Sequence, residues 1–341
     1  MAITYNNPRA EEYELLHDAY YGSGMFASGA AVTAHTREST QSIDFRRKIA
    51  YYLNYTGPIL NASVDPIFKD EIKREYSNSV LFDEFINDVD RQGTTLQEFI
   101  EQNAIAAKLY GVMYIIVDNV SEFGSSLAET LANRSMPYLT AIEPKNVVNY
   151  EFDDNGKLKL FTYASYLKNA DGTIKAHYHT WTPTEWKITD SDNKVVGKGE
   201  HNIGRIPVVQ WFGRAARKRD ILPPPEYLSI AKTNAHVYNL CSLLSQILYN
   251  QTFSILTMPV DNNGLQDVTI GTDNLLAYPA EAGKAPSFIA PDKGPAEVLM
   301  AQIDKLINEM YRMSGIDSVI GVQQAKSGVA KQWDFERTNQ N

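Results

Sequence analysis

The run Met113-Tyr114-Ile115-Ile116-Val117-Asp118 is an apolar stretch that ends in a carboxylate. In nucleotide-hydrolysing enzymes a strand of this kind can deliver an aspartate to magnesium. That chemistry also needs a phosphate cradle, and the sequence contains no Gly-x-x-x-x-Gly-Lys-Ser/Thr. The run is therefore read as a core strand closed by a turn aspartate. The stretch Gly22 to Gly29 supplies no cradle either, because no strand precedes it. His177 and His179 stand two apart, so they share one face of a strand, as some metal-ligating pairs do. No third ligand lies nearby in sequence, and a half-exposed strand accounts for the pair without a metal. Ser125, Ser126 and Cys241 lack a Gly-x-Ser-x-Gly or Cys-His setting, so nucleophilic catalysis has no sequence support. Arg214, Arg217, Lys218 and Arg219 could meet phosphate or an acidic partner, but such a cluster is read as a solvated surface or as intersubunit ion pairs. The tyrosines Tyr13, Tyr20, Tyr21, Tyr51, Tyr52 and Tyr55 suit core packing and subunit contacts about equally. The residues thus point to a protein that is not an enzyme and needs no cofactor.

Composition narrows the class further. With 341 residues and 43% hydrophobic content, the chain is long and apolar enough for one large or two medium domains, and it is not a disordered polypeptide. The 32 Lys+Arg against 41 Asp+Glu give a net charge of -9, which argues against gripping nucleic acid over the whole surface. The longest apolar runs, Leu109 to Val117 and Leu243 to Leu248, fall far short of the ~20 residues that cross a bilayer. The first twenty residues carry acids and tyrosines instead of a basic start and an apolar stretch, so no secretory signal is expected. The lone Cys241 forms no internal disulfide and is read as a small core residue.

The elements that would position these residues follow an α+β order. Glu11 to His17 reads as a helix, and Gly22 to Thr36, which has no period, as a mobile arm or loop. Ser42 to Leu53, a segment with Ile59, Leu60 and Val64, Ser79 to Ile86, and Thr94 to Tyr110 read as helices. The last is expected to be capped by Thr94 with Gln97 and ended by Gly111. Strands are expected at Val112 to Val117, Leu139 to Ile142, Val147 to Phe152, Lys157 to Leu167, Ile174 to Trp181, Glu185 to Ile188 and Ile206 to Trp211. Turns at Asp154-Asn155-Gly156 and Asp171-Gly172 would join two hairpins. The triple Pro223-Pro224-Pro225 marks a boundary. Beyond it, Glu226 to Phe253 predicts a helix of about 40 Å. Short strands follow at Val268 to Ile270, Leu275 to Tyr278 and Phe288 to Ile289. A second helix, Ala296 to Met313, places Leu299, Ile303, Leu306, Met310 and Met313 on one stripe. Gly315 ends it, and a further helix from Val329 stops at Asn341 without a cap, which reads as a truncation.

The order of these parts resembles that of tailed-bacteriophage portal proteins. LQEFIEQNAIAAKLYGVMYIIV and LTAIEPKNVVNYEFDDNGKLKLFTY are similar to that family's helix, Gly turn, strand and meander. HNIGRIPVVQWF, KTNAHVYNLCSLL, FIAPDKGPAEVLMAQIDKLINEMYRMSGI and QQAKSGVAKQWDFERT look like its later parts, with Ser327-Gly328-Val329-Ala330 the most characteristic piece. The resemblance covers roughly residues 45–341. It implies a wing (1–222), a first stem helix (223–257), a clip (258–295), a second stem helix (296–313), a tunnel loop (314–327) and the start of a wing or crown-proximal helix (328–341). Portals usually continue that last helix into a helical crown, which this chain does not reach.

By the same resemblance, a ring of about twelve copies would sit at one capsid vertex of the virion, assembled in the host cytoplasm. It would conduct double-stranded DNA without sequence preference, and no membrane is involved. Its partners would be further copies of itself, the terminase large subunit, a head-tail adaptor, and the major capsid and scaffolding proteins. The tunnel loop facing DNA would comprise Gly315, Ile316, Asp317, Ser318, Val319, Ile320, Gly321, Val322, Gln323, Gln324 and Lys326. Lys305 and Arg312 would be isolated bases near the channel, few enough to let phosphates slide. Asp261, Asn262, Asn263, Asp267 and Asp273 would offer the clip's partner contacts. The rival readings are a nucleotide-dependent DNA-packaging enzyme using Asp118 and an adaptor ring that conducts no DNA.

Overall fold

The computed structural model describes residues 7–316 apart from 71, 78, 120–123, 169–171, 218, 253–254, 261–274, 280–284 and 290–291. It shows a mixed helix-and-sheet protein. In chain order the elements are α1 (Ala10–Tyr21), α2 (Gly24–Ala27), α3 (Thr40–Ile49), α4 (Thr56–Val64), α5 (Val80–Asn87), α6 (Leu96–Tyr110), β1 (Val112–Asp118), α7 (Leu127–Ala132), β2 (Tyr138–Ile142) and β3 (Val147–Phe152). They continue with β4 (Leu158–Lys168), β5 (Ile174–Trp181), β6 (Glu185–Asp190), β7 (Val195–Glu200), β8 (Val208–Phe212), α8 (Leu228–Thr252), β9 (Ile255–Val260), β10 (Leu275–Pro279), β11 (Ser287–Ile289) and α9 (Gly294–Ser314). Two compact units emerge, one of residues 7–20 and 56–231 and one of residues 21–55 and 232–316.

In the first unit α6 sets the frame. Its N-cap is Thr95 and not the expected Thr94. The Thr95 hydroxyl oxygen accepts the Glu98 N–H at 3.2 Å, and the Glu98 carboxylate accepts the Thr95 N–H at 2.9 Å. The carboxylate is the stronger acceptor and is favoured at the positive end of the helix, which displaces the Thr94 and Gln97 alternative by one residue. Gly111 then ends α6 in the left-handed region at φ 87, where a side chain would be strained, and turns the chain straight into β1.

β1 pairs antiparallel with β2 on one side and β8 on the other. Strand alternation decides what each face of β1 covers. Ile115 packs with Val89 and Phe99 and with the partly buried Phe85 and Leu96 on the helical side. Val112, Tyr114 and Ile116 face the other way, against Phe161, Tyr163 and Trp181. Those three belong to the antiparallel meander β3-β4-β5-β6-β7. The unit is therefore layered helix, sheet, sheet, with its main core between the sheets. Each fully buried large apolar side chain there contributes on the order of 2–3 kcal/mol before conformational entropy is counted. The Tyr114 hydroxyl donates to the Ile221 carbonyl, and burial raises its pKa far above the usual tyrosine range. The Asn7 amide donates to the Pro144 and Val147 carbonyls at 2.7 and 3.1 Å, tying the residue just ahead of α1 to the start of the meander.

In the second unit, α8 has 25 residues and a length of about 37 Å. One face of it is polar and nonetheless buried, because it holds residues 21–55. The Asn234 side chain, fully buried, donates to the Leu53 carbonyl at 2.9 Å and accepts from the Tyr52 hydroxyl and the Tyr55 N–H. The Tyr238 hydroxyl donates to the Phe26 carbonyl at 3.0 Å, and the Phe26 ring stacks on Tyr52 with centroids 4.2 Å apart. Arg46 of α3 is 1% exposed and donates to Glu38, Asn239 and Ser242. The stretch Gly22 to Thr36, expected to be a mobile arm, is thus a packed segment with α2 inside it and with Phe26 and Val32 buried. Its anchors lie about two hundred residues downstream, where local periodicity cannot register them. Tyr52 is absorbed into this packing, whereas Tyr21 and Tyr51 are exposed.

A small sheet follows α8, in the order β10-β9-β11, with β9 parallel to β10 and antiparallel to β11. The Thr257 hydroxyl donates to the Ser287 carbonyl at 2.8 Å across it. β10 and β11 fall where short strands are expected, whereas β9 occupies the end of the segment expected as the first stem helix (223–257) and the start of the expected clip. The expected strand Val268 to Ile270 lies outside the described residues.

Candidate functional site

Lys305 and Arg312, the two bases expected near the channel, lie on α9, in the second unit. Of the expected stripe, Ile303 and Met310 are buried and Leu299 and Leu306 half-buried, but Met313 is exposed. At about 100° per residue, Met310 returns to within about 20° of Ile303, while Met313 sits about 80° away. Val298, at 70% exposure, and Met300 add apolar surface on the solvent side of the same helix. Phe288 on β11 is also exposed.

Lys305 is exposed. Arg312, read from the sequence as isolated, is not: its guanidinium lies 2.6 Å from the Glu309 carboxylate, one helical turn away. The hydrogen bond from Arg312 holds the Glu309 carboxyl below the usual carboxylate range and raises the Arg312 pKa in turn. Gly315 closes α9 at φ 73, with its N–H donating to the Arg312 carbonyl at 3.3 Å. Ile316 is buried and anchors the chain just beyond the helix. Asp317, Ser318, Val319, Ile320, Gly321, Val322, Gln323, Gln324 and Lys326 lie outside the described residues, as do Asp261, Asn262, Asn263, Asp267 and Asp273.

A second constellation forms in the first unit, where the two sheets part. The inward row of β1, Val112, Tyr114 and Ile116, continues to Asp118, and with it the apolar core gives way to a cleft of about 1500 Å³. Asp118, read from the sequence as a turn aspartate, and His179, read as part of a half-exposed strand, both line this cleft, with Tyr138, Tyr163, Ser165, Trp181 and Trp186. Sequence reasoning missed the last five, although Tyr163-x-Ser165 and His177-x-His179-x-Trp181 carry the two-residue period that aligns them. The Tyr138 hydroxyl donates to Asp118 Oδ2 at 2.9 Å. The His179 ring stacks on Tyr163 at 4.7 Å between centroids and only 9° from parallel, and its Nε2 is hydrogen-bonded to Ser165 Oγ at 2.9 Å. Trp186 lies against β7 so closely that a Cβ on Gly199 would stand 2.8 Å from the indole.

Burial lowers the His179 pKa to about 4, helped by repulsion from His177 and partly offset by Asp118. The imidazole is thus neutral at pH 7. Because its folded pKa lies below the ~6.5 of an unfolded histidine, its contribution is complete above that pH and is lost as pH falls towards 4. Urea unfolding at pH 7 and pH 4.5 should show wild type losing about 2 kcal/mol more than His179→Phe, which keeps a ring on Tyr163 and cannot protonate. Equal losses in the two proteins would refute this.

Among the described residues no group of three His, Cys, Asp or Glu side chains is arranged to hold a metal ion, and no helix is long and apolar enough to cross a membrane. In comparisons with known proteins, the chain matches no protein-family model and no curated protein.

Proposed function

We propose that the chain is a subunit of a tailed-bacteriophage portal ring that conducts double-stranded DNA at one capsid vertex. In this reading the ring docks the terminase large subunit during packaging and a head-tail adaptor afterwards. The observation that carries it is the second unit: two long helices, α8 and α9, bracket a small strand excursion, in the order of the family's stem, clip and second stem. Helices of this length with apolar residues on the solvent side, here Val298, Met300 and Met313, call for neighbouring copies. The net charge of -9 agrees with a conduit, because it argues against a grip on phosphate over the whole surface.

Electron microscopy of the purified protein, with mass photometry for subunit number, tests this reading. The expected result is a closed ring of about twelve copies with an axial hole that admits a DNA duplex, as head-to-tail interfaces produce when their rotation closes. A monomer or a two-fold dimer at all concentrations would overturn it. A ring whose hole is too narrow for duplex DNA would favour the non-conducting adaptor instead.

A further inference from the structure

The solvent side of α9 carries opposite charges on opposite flanks. Measured at about 100° per residue from the buried Ile303, Met300, Asp304 and Glu297 lie at roughly 60°, 100° and 120° on one flank. Lys305, Val298 and Met313 lie at roughly 200°, 220° and 280° on the other. All six are exposed, and Ala301, Asn308 and Arg312 form the strip between them. Each flank thus joins apolar surface to charge, acidic on the first and basic on the second. Asp304 and Lys305 are in no ion pair among the described residues. The other charges of the helix have partners close by. Glu297 faces Lys293 at 3.5 Å through exposed side chains that water screens, and Glu309, half-buried beside the basic flank, meets Arg312 at 2.6 Å.

Asp304 and Lys305 are neighbours in sequence, so they differ in height along the helix by only about 1.5 Å while projecting about 100° apart. Rotational symmetry sets equivalent residues of every copy at the same height along the axis. Where α9 runs along that axis, the acidic flank of one copy meets the basic flank of the next, with Asp304 level with Lys305. The two flanks are centred about 140° apart, close to the ~150° between the two neighbours of each copy in a ring of about twelve. Antiparallel packing is disfavoured, because it sets like flanks together, acid on acid. We propose that α9 is a self-complementary contact between copies of this chain. The next copy packs beside it in parallel, with Asp304 of one copy against Lys305 of the next, and Met300 of one beside Val298 of the next. The inference rests on the ring reading above and names the contact that closes the ring.

The full-length protein and its variants are compared by mass photometry across a concentration series. Lys305→Asp and Asp304→Lys each set like charges side by side. Each should raise the concentration at which rings half-form by about tenfold or more, at unchanged melting temperature and with an effect that shrinks as salt rises. Combining both substitutions in one chain exchanges the flanks and should restore assembly. Mixing the two single variants should restore it as well, because alternating copies again set acid against base. A chain with Asp304→Cys and Lys305→Cys, once oxidised, should give covalent oligomers beyond a dimer, since the native Cys241 is buried. Wild-type rings with single reversals that assemble equally well, or a double reversal no better than the singles, overturn the contact and leave the ring reading standing. Absence of rings in the wild type at every concentration overturns both. Should a reversal lower the melting temperature, the cysteine variant decides, and rings that yield no covalent oligomers overturn the contact.

Discussion

Replacing Arg46 with alanine is expected to cost about 3–5 kcal/mol of stability, read from urea denaturation midpoints of the second unit. Arg46 is 1% exposed and lies 2.7 Å from the Glu38 carboxylate, whose side chain is 8% exposed. Truncation leaves that carboxylate buried without its cation and removes donors from Asn239 and Ser242 of α8 at the same time. Glu38 keeps the His35 N–H and the Ser42 hydroxyl, so the site is injured without being emptied. A double variant, Arg46→Met with Glu38→Gln, should recover part of the loss because no charge then stays buried, and additive losses would refute the pairing. The pH dependence follows from the same geometry. Burial opposes ionisation of Glu38, but the His35 N–H, the Ser42 hydroxyl and the Arg46 guanidinium outweigh it and hold the carboxyl below its usual range. Its stabilisation is therefore complete above the ordinary glutamate range and is lost as pH falls below it.

Gly213→Ala should destabilise the first unit by about 2–4 kcal/mol, although Gly213 is not in a strained backbone conformation. The reason is proximity. A Cβ there would stand 2.3 Å from the Ala107 carbonyl oxygen and 2.8 Å from the Lys108 Cα, both of them backbone atoms of α6 that no rotamer change can move aside. The Gly213 N–H also donates to the Gly111 carbonyl at 3.0 Å, so the end of β8 is clamped to the end of α6 and cannot retreat cheaply. Gly172→Ala is the control: its Cβ meets nothing within 4 Å, and only its φ of 85 is unfavourable, for about 1 kcal/mol. Equal melting temperatures for the two variants would show that the clamp is not rigid.

The parts that were legible in the sequence are those set by local pattern. Gly111 ends α6 because only glycine sits easily at its φ, and the β-branched run after it forms β1. Both long helices of the second unit fall close to where their periods place them. β7 was invisible because Val195-Val196-Gly197-Lys198-Gly199-Glu200 alternates glycines, a composition strands avoid. Those glycines make sense only once Trp186 is seen to lie on them. The stretch Gly22 to Thr36 was illegible for the opposite reason, since Tyr238 and Asn239 hold it from far along the chain. The cleft was half legible. Alternation aligns His177, His179 and Trp181, but only the packing of one sheet on the other brings Asp118 to them.

The pairing of Val112 with Phe212 imposes an order of assembly on the first unit. The meander β3 to β7 joins neighbours in sequence and can zip as it leaves the ribosome, whereas β1 waits about a hundred residues for β8. During that interval β1 has β2 on one edge and nothing on the other, an open template of apolar strand. A nascent chain paused before Val208 is therefore a sticky species, and a chaperone that shields this edge until β8 is synthesised would raise yield more than one acting on the finished protein.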